Sequence, residues 1–415
     1  MRTILFVSPT GTLDNGAEIS IVNLMKYLAS NGYKIINVAP VYGAVTDNTY
    51  STFCKANGID CYLINNQRWW WEDAPANLFG TEEERVASFR DTIKCITELI
   101  NNNNVDVVVT NTVNMFQGAI AAAVESVPHI WLVHEYPENE FAYYKDKIDF
   151  IDQFSSAIFS VSGNLNNELN KIFENREIKS FAPYTELKNT NIQLGTKRRI
   201  ISVGRITKRK NQLELIRAFE ELNEKDLELV FIGGWDEEYK QECDEYIKNQ
   251  KISSVTFTGN SDNPWSLVTD KDICVFTSSL ETYGLVYVEA LLNGIPVIIS
   301  DNPGHLSAYS MFKQGEIYPL GNLSSLKDSI EKLMHNFEKE KHQAVTFIET
   351  AQKKYQIKNV YLELIEEINK PGSNDNSIRH LKNLLTVNEK KSKLAKLELR
   401  TRSFMQRVAY KLHLK

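Results

Sequence analysis

Charged residues placed just past short apolar runs are well positioned to meet a ligand, and four such residues carry most of the chemistry here. In Val203-Gly204-Arg205-Ile206-Thr207-Lys208-Arg209-Lys210-Asn211-Gln212 an apolar run ends, Gly204 lets the chain turn, and a helical pattern follows. Arg205 and Lys210 then flank a helix N-terminus, whose free N–H groups favour anions. A guanidinium fork together with an ammonium makes a sensible diphosphate clamp. The plain alternative is a solvated basic loop, and Lys208 and Arg209 are assigned to that role. Glu281-Thr282-Tyr283-Gly284-Leu285-Val286-Tyr287-Val288-Glu289 has the same placement, after the apolar run 273–276. Backbone N–H groups at Gly284, Leu285 and Val286 can hold a phosphate where the helix begins. Glu289 lies deeper in that helix and can aim its carboxylate at a hydroxyl pair such as a ribose diol. Glu281 can reach the hydroxyls of a sugar or stabilise positive charge near an anomeric carbon. The alternative is two surface carboxylates around a helix start, Glu281 merely favouring the dipole.

Three further segments have weaker signals. Ser8-Pro9-Thr10-Gly11-Thr12-Leu13-Asp14-Asn15-Gly16-Ala17-Glu18 lies between the first apolar run and the first helical pattern. A glycine-bearing loop there can approach a phosphate or an acceptor hydroxyl. It is neither a dinucleotide fingerprint nor a P-loop, because it lacks G-x-G-x-x-G and no Gly-Lys-Ser/Thr follows. His134-Glu135-Tyr136-Pro137-Glu138 also follows an apolar run; the second histidine of a zinc-protease helix is absent and Pro137 would interrupt it. His134 is thus read either as a structural histidine or as a residue at the site. Asp270-Lys271-Asp272 could suggest a divalent cation, but it precedes a buried strand and is assigned to structure.

The elements that must position these residues come in two series. Apolar runs suited to parallel strands lie at 4–7, 35–39, 61–64, 105–110, 130–133 and 157–161, with helical patterns at 19–28, 82–100 and 115–125. Residues 175–198 are polar and irregular and read as a linker. A second series follows at 200–203, 229–232, 255–257, 273–276 and 296–300, with helices at 212–222 and 284–292. Helical patterns close the chain at 323–336, 338–355 and 360–370. The expected organisation is a first Rossmann-like domain over 1–185, a second over 196–370, and a tail over 371–415. Both sheets are doubly wound and parallel, and such sheets bind ligands at their strand C-terminal ends, so the site belongs in a cleft between them.

With 415 residues, 42% hydrophobic and 24% charged, the composition is that of a folded α/β protein of more than one domain. The formal charge of −6 argues against a nucleic-acid partner. Five scattered cysteines without a C-x-x-C pair read as buried free thiols in a reducing compartment. The first apolar run is too short for a signal peptide or a span, so a cytoplasmic, at most peripherally membrane-bound protein is expected.

Taken together, the segments resemble glycosyltransferase family 4, the retaining enzymes of the GT-B fold, over roughly residues 1–370. The resemblance rests on Gly16-Ala17-Glu18, Val203-Gly204-Arg205 with Lys210-Asn211, the Glu281-x7-Glu289 pair, and Glu289-Ala290-Leu291-Leu292-Asn293-Gly294-Ile295-Pro296-Val297-Ile298. It implies that Arg205 and Lys210 contact the diphosphate of a nucleotide sugar and that Glu289 contacts the ribose. Glu281, Tyr283 and the Gly284–Val286 backbone would meet the sugar and distal phosphate, and Gly259 and Asn260 would flank the base. Gly16 and Ala17 would line the reaction centre on its acceptor side, with His134 near the sugar. No cofactor and no metal are implied for transfer, and a UDP-sugar is expected ahead of a GDP-sugar. Three departures stand out: Asn15-Gly16 where the family usually has Gly-Gly, Gly233-Gly234-Trp235 for a common Gly-Asp-Gly, and Gly304-His305 for a second Gly-Gly. A catalytically silent partner subunit and a nucleotide-sugar epimerase are the rival readings.

For the acceptor, expected to be a glycan or lipid-linked saccharide in cell-surface polysaccharide or glycolipid synthesis, the sequence offers Trp69, Trp70, Trp71 and Glu135. Three adjacent tryptophans suit a loop that stacks on sugar rings or touches lipid; a small core cluster is the alternative. The tail 377–415 carries eleven Lys or Arg against two acidic residues. Leu394, Leu397, Thr401, Phe404, Val408 and Leu412 fall on one helical face. A basic amphipathic helix of this kind suits an anionic membrane surface, a partner helix or a solvated tail.

Overall fold

β-Branched and apolar runs flanked by helices become two parallel sheets in the computed structural model of the chain. It describes residues 1–13, 15–41, 49–64, 70–74, 81–186, 192–222, 224 and 226–386. The first sheet is built from β1 (Thr3–Val7), β2 (Lys34–Pro40), β3 (Ile59–Ile64), β4 (Val107–Asn111), β5 (His129–Val133), β6 (Ala157–Val161) and β7 (Lys179–Phe181). Its order is β3-β2-β1-β4-β5-β6-β7, all neighbours parallel. The second contains β8 (Arg199–Val203), β9 (Glu228–Ile232), β10 (Val255–Phe257), β11 (Ile273–Phe276), β12 (Val297–Ser300) and β13 (Glu316–Tyr318), in the order β10-β9-β8-β11-β12-β13. This is the GT-B arrangement of two Rossmann-like sheets.

Every residue of β1, β4, β5, β6, β11 and β12 is buried. Helices on both faces leave no solvent side, so these strands read as unbroken apolar runs rather than alternating ones. β7 and β13, two of the three strands that are only three residues long, carry no such run. They sit at sheet edges with one partner each, and β7 lies inside the stretch expected to be linker.

Both sheets reverse their strand order once, between β1 and β4 and between β8 and β11. Connections leave to opposite faces at that point and a crevice opens at the strand C-terminal ends. The loops after β8 and β11 hold Arg205, Lys210 and Glu281, so the second sheet presents them at its own switch point.

The closing helix Leu323–His335 packs beside β13 and Phe337–Lys354 packs on the helix Leu285–Leu292, but the chain then crosses back. Ala182 N donates to Val360 O, Tyr361 Oη donates to Ser20 O, and Lys179 pairs with Glu367. Asn374 N and Ile378 N then bond to Ser126 O and Ala123 O, and Lys382 reaches Glu125 at 2.6 Å. Residues 357–386 therefore strap the second half of the chain to the first. Of the expected basic tail, the described part (to 386) lies on the first domain; Leu394, Leu397, Thr401, Phe404, Val408 and Leu412 fall outside the described residues. Among those described, no helix is long and apolar enough to cross a membrane.

Candidate active site

The β8 loop is shaped by its own polar residues. Gly204 adopts φ 137°, Thr207 caps a single 3₁₀ turn over Lys208–Lys210, and Asn211 takes a left-handed conformation. Gln212 Nε2 returns to Arg205 O at 3.0 Å, fixing the start of the loop to the start of the next helix. Lys210 is thereby delivered to Glu281, its Nζ 2.6 Å from Oε1. Arg209, assigned above to a solvated loop, reaches the other carboxylate oxygen, with Nη1 3.3 Å from Oε2. That assignment is corrected: the tight turn brings two successive cations onto one carboxylate. Arg205 is exposed at the mouth of the loop and makes no ion pair among the described residues.

Glu281 is 7% exposed. Burial pushes its carboxyl up, but Lys210 above all, then Arg209, outweighs burial and holds it at about 2. Three residues on, Gly284 has φ 88° and caps the helix Leu285–Leu292 without a side-chain bond. A Cβ at Gly284 would lie 2.7 Å from Cδ2 of the buried His305, so only glycine fits both the angle and the space. The unpaired N–H groups of Leu285 and Val286 open this helix beside the Lys210–Glu281 pair. Tyr283 contributes only backbone here: its ring is buried and its hydroxyl points at Met311 Sδ, so its side chain is packing rather than ligand contact.

Glu289 has two partners that sequence reasoning did not foresee. Its Oε1 accepts from Thr185 Oγ1 and its Oε2 from Trp265 Nε1, both at 2.8 Å. Burial raises its carboxyl, while those two donors pull it back. Thr185 comes from the crossover between sheets and Trp265 from the loop after β10, so only the fold brings them together. Asn260 Oδ1 accepts from Gly234 N at 2.8 Å, and Gly259 O accepts from Gly233 N at 3.0 Å. These bonds shape the outer end of the same crevice. Asp272 does what its plain reading required: it is fully buried, and Arg199 pairs with it at 2.6 Å.

Across the cleft, Glu18 explains the Gly16-Ala17-Glu18 motif. Its Oε1 accepts from Thr10 N, Thr10 Oγ1 and Gly11 N at 2.8, 2.9 and 3.1 Å, gathering the loop after β1. Asn15 caps the helix Gly16–Ser30, and a Cβ on Gly16 would come within 3.4 Å of Leu285 Cδ1. Asn111 Nδ2 donates to Ala17 O, and its Oδ1 lies 2.8 Å from His134 Nε2. The amide orientation makes that imidazole nitrogen the donor. Burial holds His134 near pKa 3, so the ring is neutral. Its carbonyl accepts from Thr282 Oγ1 at 2.9 Å, a direct bond from the Glu281 loop to the first domain. The structure thus brings Gly16, Ala17 and His134 to the wall facing Leu285 and Glu281.

The acceptor candidates fare differently. Trp71 packs on Phe116 and Phe150 with centroids at 4.3 and 5.5 Å, and its indole N–H donates to Val113 O. Trp70 donates to Pro9 O and packs against the first-domain core. The two indoles pack against different cores of the first domain and both N–H groups are taken, which corrects the expectation of free stacking surfaces. Trp69 lies outside the described residues. Glu135 is buried, and its Oε2 accepts from Val113 N and His134 N. Burial lifts its carboxyl to about 7 despite those amides. It braces the loops after β4 and β5 instead of standing open to an acceptor.

Residues 184–354 match the family model described as glycosyl transferases group 1. That segment holds the whole cluster from Arg205 to Glu289, and the chain carries a glycosyltransferase domain. The capsular polysaccharide biosynthesis glycosyltransferase CapM of Staphylococcus aureus is 27% identical over 155 residues, 37% of this chain and 39% of that protein. The alpha-monoglucosyldiacylglycerol synthase of Streptococcus pneumoniae is 31% identical over 137 residues, 32% of this chain and 30% of the other. The matches thus span about two fifths or less of these relatives. The HepE protein of Anabaena, solved with UDP and glucose, superposes with a TM-score of 0.71 at 17% identity, covering 89% of this chain and 99% of HepE. At that identity the likeness speaks for the fold.

Proposed function

We propose that the chain is a retaining glycosyltransferase of family 4 that moves a sugar from a nucleoside diphosphate to a glycan or lipid-linked saccharide. The observation that carries this reading is the buried Glu281 carboxylate, paired to Lys210 at 2.6 Å beside the open N-terminus of the helix Leu285–Leu292. Arg205, Lys210 and the Leu285 and Val286 N–H groups take the diphosphate. Glu289, steadied by Thr185 and Trp265, takes the ribose; Gly259 and Asn260 flank the base. The bond from the anomeric carbon to the diphosphate breaks, and positive charge grows at that carbon near Glu281. The acceptor hydroxyl attacks from the leaving-group side, past Gly16, Ala17 and His134, its proton passes to the departing diphosphate oxygen, and the new glycosidic bond retains configuration. Fixed charges in a closed cleft act without reorganising, which is where such a site lowers a barrier. Neither a metal nor a cofactor takes part in this scheme.

UDP as the donor nucleotide is supported by the UDP and glucose bound to HepE, and cell-surface polysaccharide or glycolipid synthesis by the names of the bacterial relatives. The decisive test is sugar transfer and nucleoside diphosphate release across a panel of nucleotide sugars. Lys210→Met and Glu281→Gln should each lose at least about a hundredfold in kcat, in line with removal of a preorganised charge. Near wild-type turnover in both would sink the assignment. A silent partner subunit would turn over no donor, and an epimerase would yield an altered nucleotide sugar without acceptor.

The protein is further read as cytoplasmic, with the basic stretch 377–415 contacting anionic membrane through its part beyond residue 386, since 377–386 pack on the first domain. Full-length protein should pellet with phosphatidylglycerol vesicles at low salt and not at high salt; equal pelleting after deletion of 387–415 would refute that contact.

A further inference from the structure

Lys210 carries two tasks in the scheme above. It is the nearer cation to Glu281, and it is also the ammonium that meets the departing diphosphate. A multiply charged diphosphate draws that ammonium toward itself, leaving a buried carboxylate short of its main partner. Unpaired buried charge is costly, so a second cation is required if Glu281 is to stay in place.

Arg209 is built for that task. Its Nη1 approaches Oε2, the oxygen Lys210 does not take, and also donates to Leu280 O at 3.1 Å. Its own carbonyl accepts from Ser279 N at 2.8 Å and Ser279 Oγ at 3.0 Å. Backbone and side chain thus grip the loop over residues 279–281 from both ends. The side chain is 54% exposed, so its guanidinium stays hydrated while it reaches inward. The charged or titratable groups facing Glu281 are Lys210, Arg209 and His305, and burial keeps His305 neutral, near pKa 4. Arg209 is therefore the one of these that remains a cation and has no task at the diphosphate.

Resting on the glycosyltransferase reading, we propose that Arg209 is a positioning residue, the counter-ion that holds the Glu281 carboxylate against the sugar when Lys210 turns to the diphosphate. Arg209 acts through Glu281 and touches neither phosphate nor sugar.

The test compares Arg209→Gln and Arg209→Lys with wild type in kcat from pH 8 to pH 5. The substrate is the nucleotide sugar that wild type turns over from UDP-glucose, UDP-galactose, UDP-N-acetylglucosamine and GDP-mannose. With Arg209 removed and Lys210 turned to the diphosphate, Glu281 protonates more readily, so Arg209→Gln should fall progressively behind on acidification, by about twofold where the pH meets its raised carboxyl value and toward about tenfold, for a one-unit rise, only well below it. Arg209→Lys should restore most of that loss. The free diphosphate should bind Arg209→Gln within about twofold of wild type at pH 8, since phosphate contacts are intact. A profile parallel to wild type, or a drop at every pH that lysine does not restore, would overturn the proposal. So would a large loss of diphosphate affinity, which would make Arg209 a phosphate ligand. A second measurement needs no turnover and decides the matter if no donor is consumed, an outcome that would refute the enzyme reading alone. The Tm of Lys210→Met/Arg209→Gln should rise more on moving from pH 7 to pH 5 than that of Lys210→Met; equal responses would overturn the role of Arg209.

Discussion

Removing the ammonium of Lys210 should reveal how strongly the site depends on it for stability. In the folded chain the Glu281 carboxyl is held at about 2, against an ordinary value of 4.5. Because the folded value is the lower one, the paired carboxylate stabilises the fold fully above about pH 4.5, and that stability is lost as pH falls toward 2. At about 1.4 kcal/mol per unit, the gap corresponds to an upper bound of about 3 kcal/mol at pH 7. Lys210→Met leaves a buried carboxylate with only the half-exposed Arg209, so most of this is forfeited. A loss of about 2–3 kcal/mol is expected, at the low end for a broken buried pair. The assay is thermal unfolding followed by circular dichroism at pH 7, 6 and 5, where the Tm should drop by roughly 3–6 °C at pH 7. The deficit should narrow toward pH 5, because the variant's carboxyl, now raised by burial, can take a proton. Adding Glu281→Gln should recover part of the loss by removing the unpaired charge. A Lys210→Met protein as stable as wild type at pH 7, or a deficit that does not change with pH, would refute the electrostatic account of this pair.

Two further outcomes test the scaffold. Gly284→Ala forces an L-residue into φ 88° and drives its Cβ against His305; it should cost about 1–3 kcal/mol in unfolding experiments and weaken nucleotide-sugar binding measured by calorimetry. Arg199→Met leaves the buried Asp272 without its ion-pair partner, keeping the Thr269 N–H bond, and should cost about 3–5 kcal/mol. At a temperature where the variant remains folded its donor affinity should match wild type, since this pair lies at the opposite end of β11 from the cleft.

How much was legible beforehand follows from how each signal is encoded. The buried strands were visible because a doubly covered sheet needs unbroken apolar runs, and 157–161, for example, is both the expected and the observed strand. β7 and β13 were missed because a short edge strand needs only one partner and little apolar length. At the site, Lys210 and Glu281 were each visible as charged residues past a strand. Arg209 was set aside because three successive basic residues look alike until a 3₁₀ turn decides which ones point inward. The tryptophans were misjudged for the converse reason: a bulky loop residue looks available until its neighbours, Phe116 and Phe150 for Trp71, are known.

By itself the sequence determined the alternation of strand and helix, the presence of two sheets, and the loops in which the chemistry would sit, because periodicity and glycine-marked turns are local properties. It also determined that Glu281 and Glu289 would share one turn-and-helix unit. What only the tertiary structure decided was which charges meet. Lys210 and Arg209 lie more than seventy residues from Glu281, Thr185 more than a hundred from Glu289, and Thr282 almost 150 from His134. Those pairings depend on strand order, on the switch point between β8 and β11, and on the closing of one sheet against the other, none of which is written in any local stretch of the chain.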